Sequence, residues 1–190
     1  MIALSDGKEK IQHRSRSTGS INVKQPFMSM VVGCQPDSLS NILSGNDASS
    51  GFANRFIFVS GTKKPRQGWL NTPKVDLTGL AAKLEAIHVW SRTHALGPEK
   101  GSIDFEDDAA LVFDELVQML DVLREQPNGD IFARLELQAM KLIVILCVNA
   151  KTDLATVQMV EDVRRMIESV LPVTSGVAET ITQDEEACIS

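Results

Sequence analysis

Tyrosine is absent from the 190 residues, and the seven Phe and two Trp bring the aromatic share to only 5%. Stacking platforms for bases are therefore scarce, and any nucleic-acid contact has to rest on phosphates. Cysteine is thin as well: Cys34, Cys147 and Cys188 are odd in number and widely spaced, without a CxxC pair. With only His13, His88 and His94 beside them, neither a disulfide framework nor a zinc site is expected. No apolar run reaches the roughly 18–20 residues that a membrane helix requires. The opening MIALSDGKEK has no basic segment followed by a long apolar one, so the expectation is a cytoplasmic protein. The motifs GxxxxGK(S/T), GxGxxG after a strand, GxSxG and HExxH are all missing, and with them any complete catalytic set.

What remains is a globular composition, 43% hydrophobic and 23% charged, long enough for one full domain or two small ones. The net charge of −6 hides a partition. Residues 1–66 hold nine Lys and Arg against four Asp and Glu, a balance of +5, whereas 67–190 hold ten against twenty-one, a balance of −11. A basic front and an acidic back belong to different surfaces. Lys8, Lys10, Arg14, Arg16, Lys63, Lys64 and Arg66 either meet phosphates or form an ordinary solvated surface; the first alternative predicts weak, salt-sensitive, sequence-independent binding to single-stranded DNA.

The first third reads as α/β. The run 27–34 (FMSMVVGC), bounded by Pro26 and Pro36, is too short for a helix and suits a buried strand. Asp37 then caps a short helix over 37–43, SGNDASSG (44–51) is a polar loop, and FIFV (56–59) has the content of a second buried strand. GTKKPRQGWLNTP (61–73) reads as a linker. Past it the apolar period becomes helical. Leu77, Leu80, Leu84 and Ile87 mark one helix. A second runs from Phe105 to Leu123, capped by Asp104 with Glu106, Asp107 and Asp108 in its first turn. Pro127-Asn128-Gly129 breaks the chain. The third helix, 131–148, is apolar on nearly every face after Lys141 and is expected to be the central, most buried one. A turn at Lys151-Thr152-Asp153 leads to the fourth, 154–171, with Val157, Val160, Val163, Ile167 and Val170 on one side and Pro172 as its end. The division is thus 1–66 as an α/β portion, 67–74 as a linker, 75–172 as a helical domain and 173–190 as a flexible tail.

Two residues by the strands invite chemistry. Gln35 stands where a buried strand ends, the position from which open α/β sheets contact ligands, although a plain turn residue before Pro36 would look the same. Arg55, in the phrase GFANRF (51–56), lies between a small polar loop and a strand. A guanidinium held there suits a phosphate, through paired hydrogen bonds and a permanent charge, or a structural salt bridge. Cys147 sits in the most apolar part of the third helix and reads as an inert thiol, and His88 and His94, on or just past a helix, carry no sign of catalysis.

The stretch MVVGCQPDSLSNILSGNDASSGFANRFIFVSGTKKPR (30–66) resembles the C-terminal part of the P-loop ATPase core in a family of phage, plasmid and prophage primase-helicase-like proteins, domain of unknown function 3987. The shared pattern is an apolar strand ending in Gly-x-Gln/Thr-Pro, a short helix, a polar loop and Gly-Phe-x-x-Arg-Phe/Leu. FARLELQAMKLIVIL (132–146) is similar to the family's helical region, and SDG (5–7) to the turn after its Walker B helix. The resemblance implies an α/β plus α fold: the last strands of a RecA-like sheet followed by an α-helical lid of about four helices. It implies Gln35 as a polar sensor, Arg55 as an arginine finger directed at a γ-phosphate, and Arg134 and Lys141 as second-sensor residues binding the nucleotide from the lid.

The family's Walker A and B motifs would precede this sequence, so the chain is expected to be a C-terminal portion. ATP and magnesium would then be used only with a Walker-bearing partner or upstream segment, or with neighbouring subunits in a ring. The alternatives are a non-enzymatic DNA- or protein-binding module and an inactive prophage remnant.

Overall fold

The computed structural model describes residues 2–3, 10–15, 19–24, 29–34, 52–61, 75–94, 102–127 and 129–189. Helix dominates them. Four helices, α1 (Thr78–His94), α2 (Asp107–Arg124), α3 (Leu135–Ala150) and α4 (Val157–Ile189), occupy the positions that the apolar spacing indicates. The strands are short and paired two by two: β1 (Ile2–Ala3) with β4 (Ser29–Met30), β2 (Lys10–Ser15) with β3 (Gly19–Lys24), both antiparallel, and β5 (Asp104–Phe105) with β6 (Leu154–Ala155), parallel.

The chain divides into two compact units, each interrupted in sequence. One comprises Met1–Phe58, Arg124–Arg134 and Pro172–Ser190; the other comprises Val59–Leu123 and Leu135–Leu171.

In the second unit, the parallel pair β5–β6 sets the starts of two helices side by side. The ladder runs from Asp104 N–H to the Asp153 carbonyl (2.8 Å) and from Glu106 N–H to the Ala155 carbonyl (3.1 Å). Glu106 then places a carboxylate at the start of α4, accepting from Val157 N–H at 3.3 Å, where unpaired amides and the helix dipole favour an anion. Asp104, expected as the cap of α2, is instead half of β5. The helix starts at Asp107, with Asp107 and Asp108 in its first turn. At α1 the capping carboxylate is Asp76, whose Oδ1 accepts from Thr78 N–H at 2.9 Å. Hydrogen bonds from Thr78 hold its carboxyl below the usual Asp range.

The core of this unit is a set of one-sided helix faces. Ala109, Leu116 and Leu120 come from α2, Leu135, Ala139, Ile143 and Cys147 from α3, and Val160, Val163, Ile167 and Val170 from α4. Their spacing follows the helical period. α3, expected to be the central, most buried helix, buries Leu135, Gln138, Ala139, Ile143 and Cys147 but leaves Leu137, Met140, Val144 and Ile145 exposed. Its apolar content exceeds what its neighbours cover. At its end Lys151 adopts a positive φ of 58°, and Thr152 N–H reaches back to the Cys147 carbonyl at 3.0 Å. This is the left-handed closure that terminates many helices.

Pro172 does not end α4, which continues to Ile189. The proline removes one backbone donor, yet the apolar stripe goes on beyond it through the buried Thr174, Val177 and Ala178. Burial on either side of the proline, within each of the two units, therefore outweighs the local break.

The two apolar runs of the first third also differ from expectation. In 27–34 only Ser29–Met30 is a strand, and Val31 is 82% exposed. Residues 56–59 follow a helical turn and belong to no strand. An apolar run becomes a buried strand only when neighbours pair with it on both sides, and among the described residues none pairs with 31–34 or 56–59. The short helix expected at 37–43, the loop at 44–51 and nearly all of the linker at 61–73 lie outside the described residues. No helix among the described residues is long and apolar enough to cross a membrane.

Candidate functional site

In GFANRF, the small residues Ala53 and Asn54 between two phenylalanines let the chain close one tight turn, Ala53–Arg55. Arg55 N–H donates to the Phe52 carbonyl (3.2 Å) and Phe56 N–H to the Ala53 carbonyl (3.1 Å). Ala53 and Asn54 are buried, and the Asn54 amide donates through Nδ2 to the backbone carbonyl of Asp130 at 3.3 Å. On the outer side, Phe52 meets Phe56 edge-on at 5.1 Å and Phe56 stacks on Phe58 at 6.1 Å. Arg55 is half-buried on a turn held from both directions.

The second element of the same unit is the turn that receives Asn54. Gly129 N–H donates to the Gln126 carbonyl (2.9 Å), and Ala133 N–H to that of Asp130 (3.1 Å). Ile131 and Phe132 are buried within it. Arg124 spans the turn, donating from Nη2 to the Ala133 carbonyl at 3.2 Å, one residue before the half-buried Arg134. Three arginines, Arg55, Arg124 and Arg134, thus belong to one unit.

The turn closes this tightly only because position 129 is a glycine. A Cβ there would overlap the backbone carbonyl of Arg124, and its Cα would lie 2.8 Å away. Gly129→Ala is expected to destabilise the protein by up to about 3 kcal/mol, the upper end of overpacking costs. Gly176→Ala, at a helical position with nothing within 4 Å of the added atom, is expected to stabilise it by about 0.5–1 kcal/mol. Urea unfolding of the two variants reads both signs; two shifts of the same sign would contradict this account of the turn.

The sequence candidates are distributed unevenly. Arg55 and Arg134 fall in one unit, whereas Lys141 lies half-buried on α3 in the other. Lys10 and Arg14 are on β2. Gln35, Lys8, Arg16, Lys63, Lys64 and Arg66 lie outside the described residues. Cys147 is fully buried with Sγ 3.7 Å from the Met159 sulfur, and desolvation pushes its thiol above the ordinary pKa. Burial and the upward shift both disfavour the thiolate that a nucleophile needs. His94, the last residue of α1 rather than one just past it, stacks on Trp90 at 4.2 Å with Nδ1 2.9 Å from the Trp90 carbonyl. Among the described residues no group of three or more His, Cys, Asp and Glu is arranged to hold a metal.

Sequence reasoning missed Asn54 and Arg124. The first was marked only by a polar residue between an alanine and an arginine inside an aromatic phrase. The second was a cation in the last turn of α2 just before the Pro-Asn-Gly break. Compared with known proteins, the chain matches no family model, no curated protein and no solved structure.

Proposed function

We propose that this chain is the C-terminal portion of a replicative helicase/primase-type ATPase of mobile-element origin, and that Arg55 serves as the arginine finger of a nucleotide site whose Walker loop and magnesium-binding carboxylates lie outside this sequence. The observation that carries the proposal is the fixing of the GFANRF turn by the buried Asn54 amide on the Asp130 carbonyl, which holds a half-buried arginine beside the turn that leads to Arg134. An arginine directed at a γ-phosphate stabilises charge that develops on its oxygens during transfer. In this scheme residues 1–66 complete a RecA-like sheet on another polypeptide or segment, with 31–34 and 56–59 becoming strands only when paired there. Gln35 senses the phosphate, and Arg134 and Lys141 contact the nucleotide from the helical lid. ATP and magnesium are brought by the Walker-bearing part, which is an upstream segment, a partner chain or a neighbouring subunit of a ring. Weak single-stranded DNA binding by the basic front half belongs to the same scheme.

Alone, the chain is expected to release no phosphate from magnesium-ATP over many turnovers, because nothing in it cradles the β- and γ-phosphates. Sustained release that survives purification and disappears in Arg55→Ala would overturn the dependence on a separate Walker loop.

One observation favours a second reading, a non-enzymatic interaction module. α1 has no buried residue, and Leu77, Leu80 and Leu84 are exposed along one stripe, as expected of a helix that docks onto a partner.

A further inference from the structure

The β2–β3 hairpin sorts its residues into two chemically distinct sets. Its register pairs Lys10 with Lys24, Gln12 with Asn22 and Arg14 with Ser20, and between them Ile11 with Val23 and His13 with Ile21. Residues opposite one another in an antiparallel pair share a face, and alternate residues along each strand do so too. One face therefore carries Lys10, Gln12, Arg14, Ser20, Asn22 and Lys24: three cations, three neutral hydrogen-bonding residues, no carboxylate and no apolar group. The other carries Ile11, His13, Ser15, Gly19, Ile21 and Val23, three of them aliphatic.

The pairing of Lys10 with Lys24 opposes the hairpin's own stability, since like charges directly across a ladder repel. A bound anion relieves that repulsion. At about 3.4 Å per residue, Lys10 and Arg14 are spaced about 14 Å apart along the strand. A single phosphate cannot meet both cations, whereas a chain of phosphates can. We infer that this face of the β2–β3 hairpin is a contact surface for the phosphodiester backbone of a nucleic acid, with Lys10, Lys24 and Arg14 meeting phosphates. Gln12 and Asn22, between the cations, supply amides suited to sugar or base edges. The face has no aromatic or aliphatic residue to enter a bilayer's headgroup boundary, which disfavours an anionic membrane. The surface rests on the DNA-binding part of the reading above, to which the strand register adds the opposition of Lys10 and Lys24; no residue of it is shared with the arginine turn at Arg55.

The test is a titration of the full chain with a mixed-sequence 20-nucleotide strand and with its duplex, at several salt concentrations from about 50 to 200 mM, followed by fluorescence anisotropy. Lys10→Gln combined with Lys24→Gln removes an opposed like-charge pair, so the hairpin is expected to remain folded, which circular dichroism checks. The slope of log affinity against log salt is expected to become shallower by about 1.4 for the single strand or about 1.8 for the duplex. Lys83→Gln, on α1, is expected to leave it unchanged. The arm that binds more tightly identifies the form of nucleic acid. No binding at 50 mM salt, an unchanged slope in the double variant, or equally tight binding to vesicles containing phosphatidylserine would each overturn the inference.

Discussion

Leu116→Ala is expected to remove about 2–5 kcal/mol of stability, a large share of the roughly 5–15 kcal/mol that holds a domain folded. Leu116 is wholly buried on the face of α2 that also buries Ala109 and Leu120. Truncation removes its transfer free energy and leaves a cavity among helices that relax only in part. Leu111 on the same helix is the contrast. It is 62% exposed, and its replacement by alanine is expected to change stability by no more than about 0.5 kcal/mol. Urea midpoints of the two variants, at unchanged slope, give the comparison. Equal losses would mean that α2 does not bury the face described. Across the same helices, Arg164 on α4 reaches Glu115 on α2 at 3.2 Å and Glu168 at 3.0 Å. These carboxylates raise its pKa, the hydrogen bond to Glu168 contributing most. The exposed partners limit each bridge to at most about 1 kcal/mol, so the apolar face dominates.

The four helices were legible because their signal is periodic and redundant. Val160, Val163, Ile167 and Val170 repeat one face over several turns, and no single residue decides the assignment. The break at Pro127-Asn128-Gly129 was legible for a related reason, since backbone restriction acts locally. Pro172 misled because its local effect is set against burial of Thr174, Val177 and Ala178 further along, and burial depends on what the fold brings near. The same limit applies to residues 31–34 and 56–59. Apolar composition states what a segment could bury, and only strand partners decide whether it does. β5 and β6, two residues each, are too short for any periodic signature. Of the candidate site, Arg55 stood out in the sequence as a cation between a small polar loop and an expected strand; the structure puts it on a tight turn followed by no strand, and its role stays the proposal. Asn54 and Arg124 did not stand out, because each acts through a backbone carbonyl distant in sequence, Asp130 for Asn54 and Ala133 for Arg124. Nothing in a side chain's identity announces a carbonyl partner.

The most direct measurement is steady-state ATP turnover by this chain co-expressed with the reading frame immediately upstream of it, as wild type and as Arg55→Ala. An arginine finger contributes roughly 10³- to 10⁵-fold to the rate of phosphoryl transfer, acting on the transition state more than on the bound nucleotide. The account predicts turnover that requires both polypeptides. It also predicts a kcat reduced by about 10³-fold or more in Arg55→Ala, with ATP affinity little changed and with Arg55→Lys failing to restore the rate, because an ammonium lacks the planar fork. A co-purified pair that hydrolyses ATP equally fast with and without Arg55, or a pair that hydrolyses none, would contradict it.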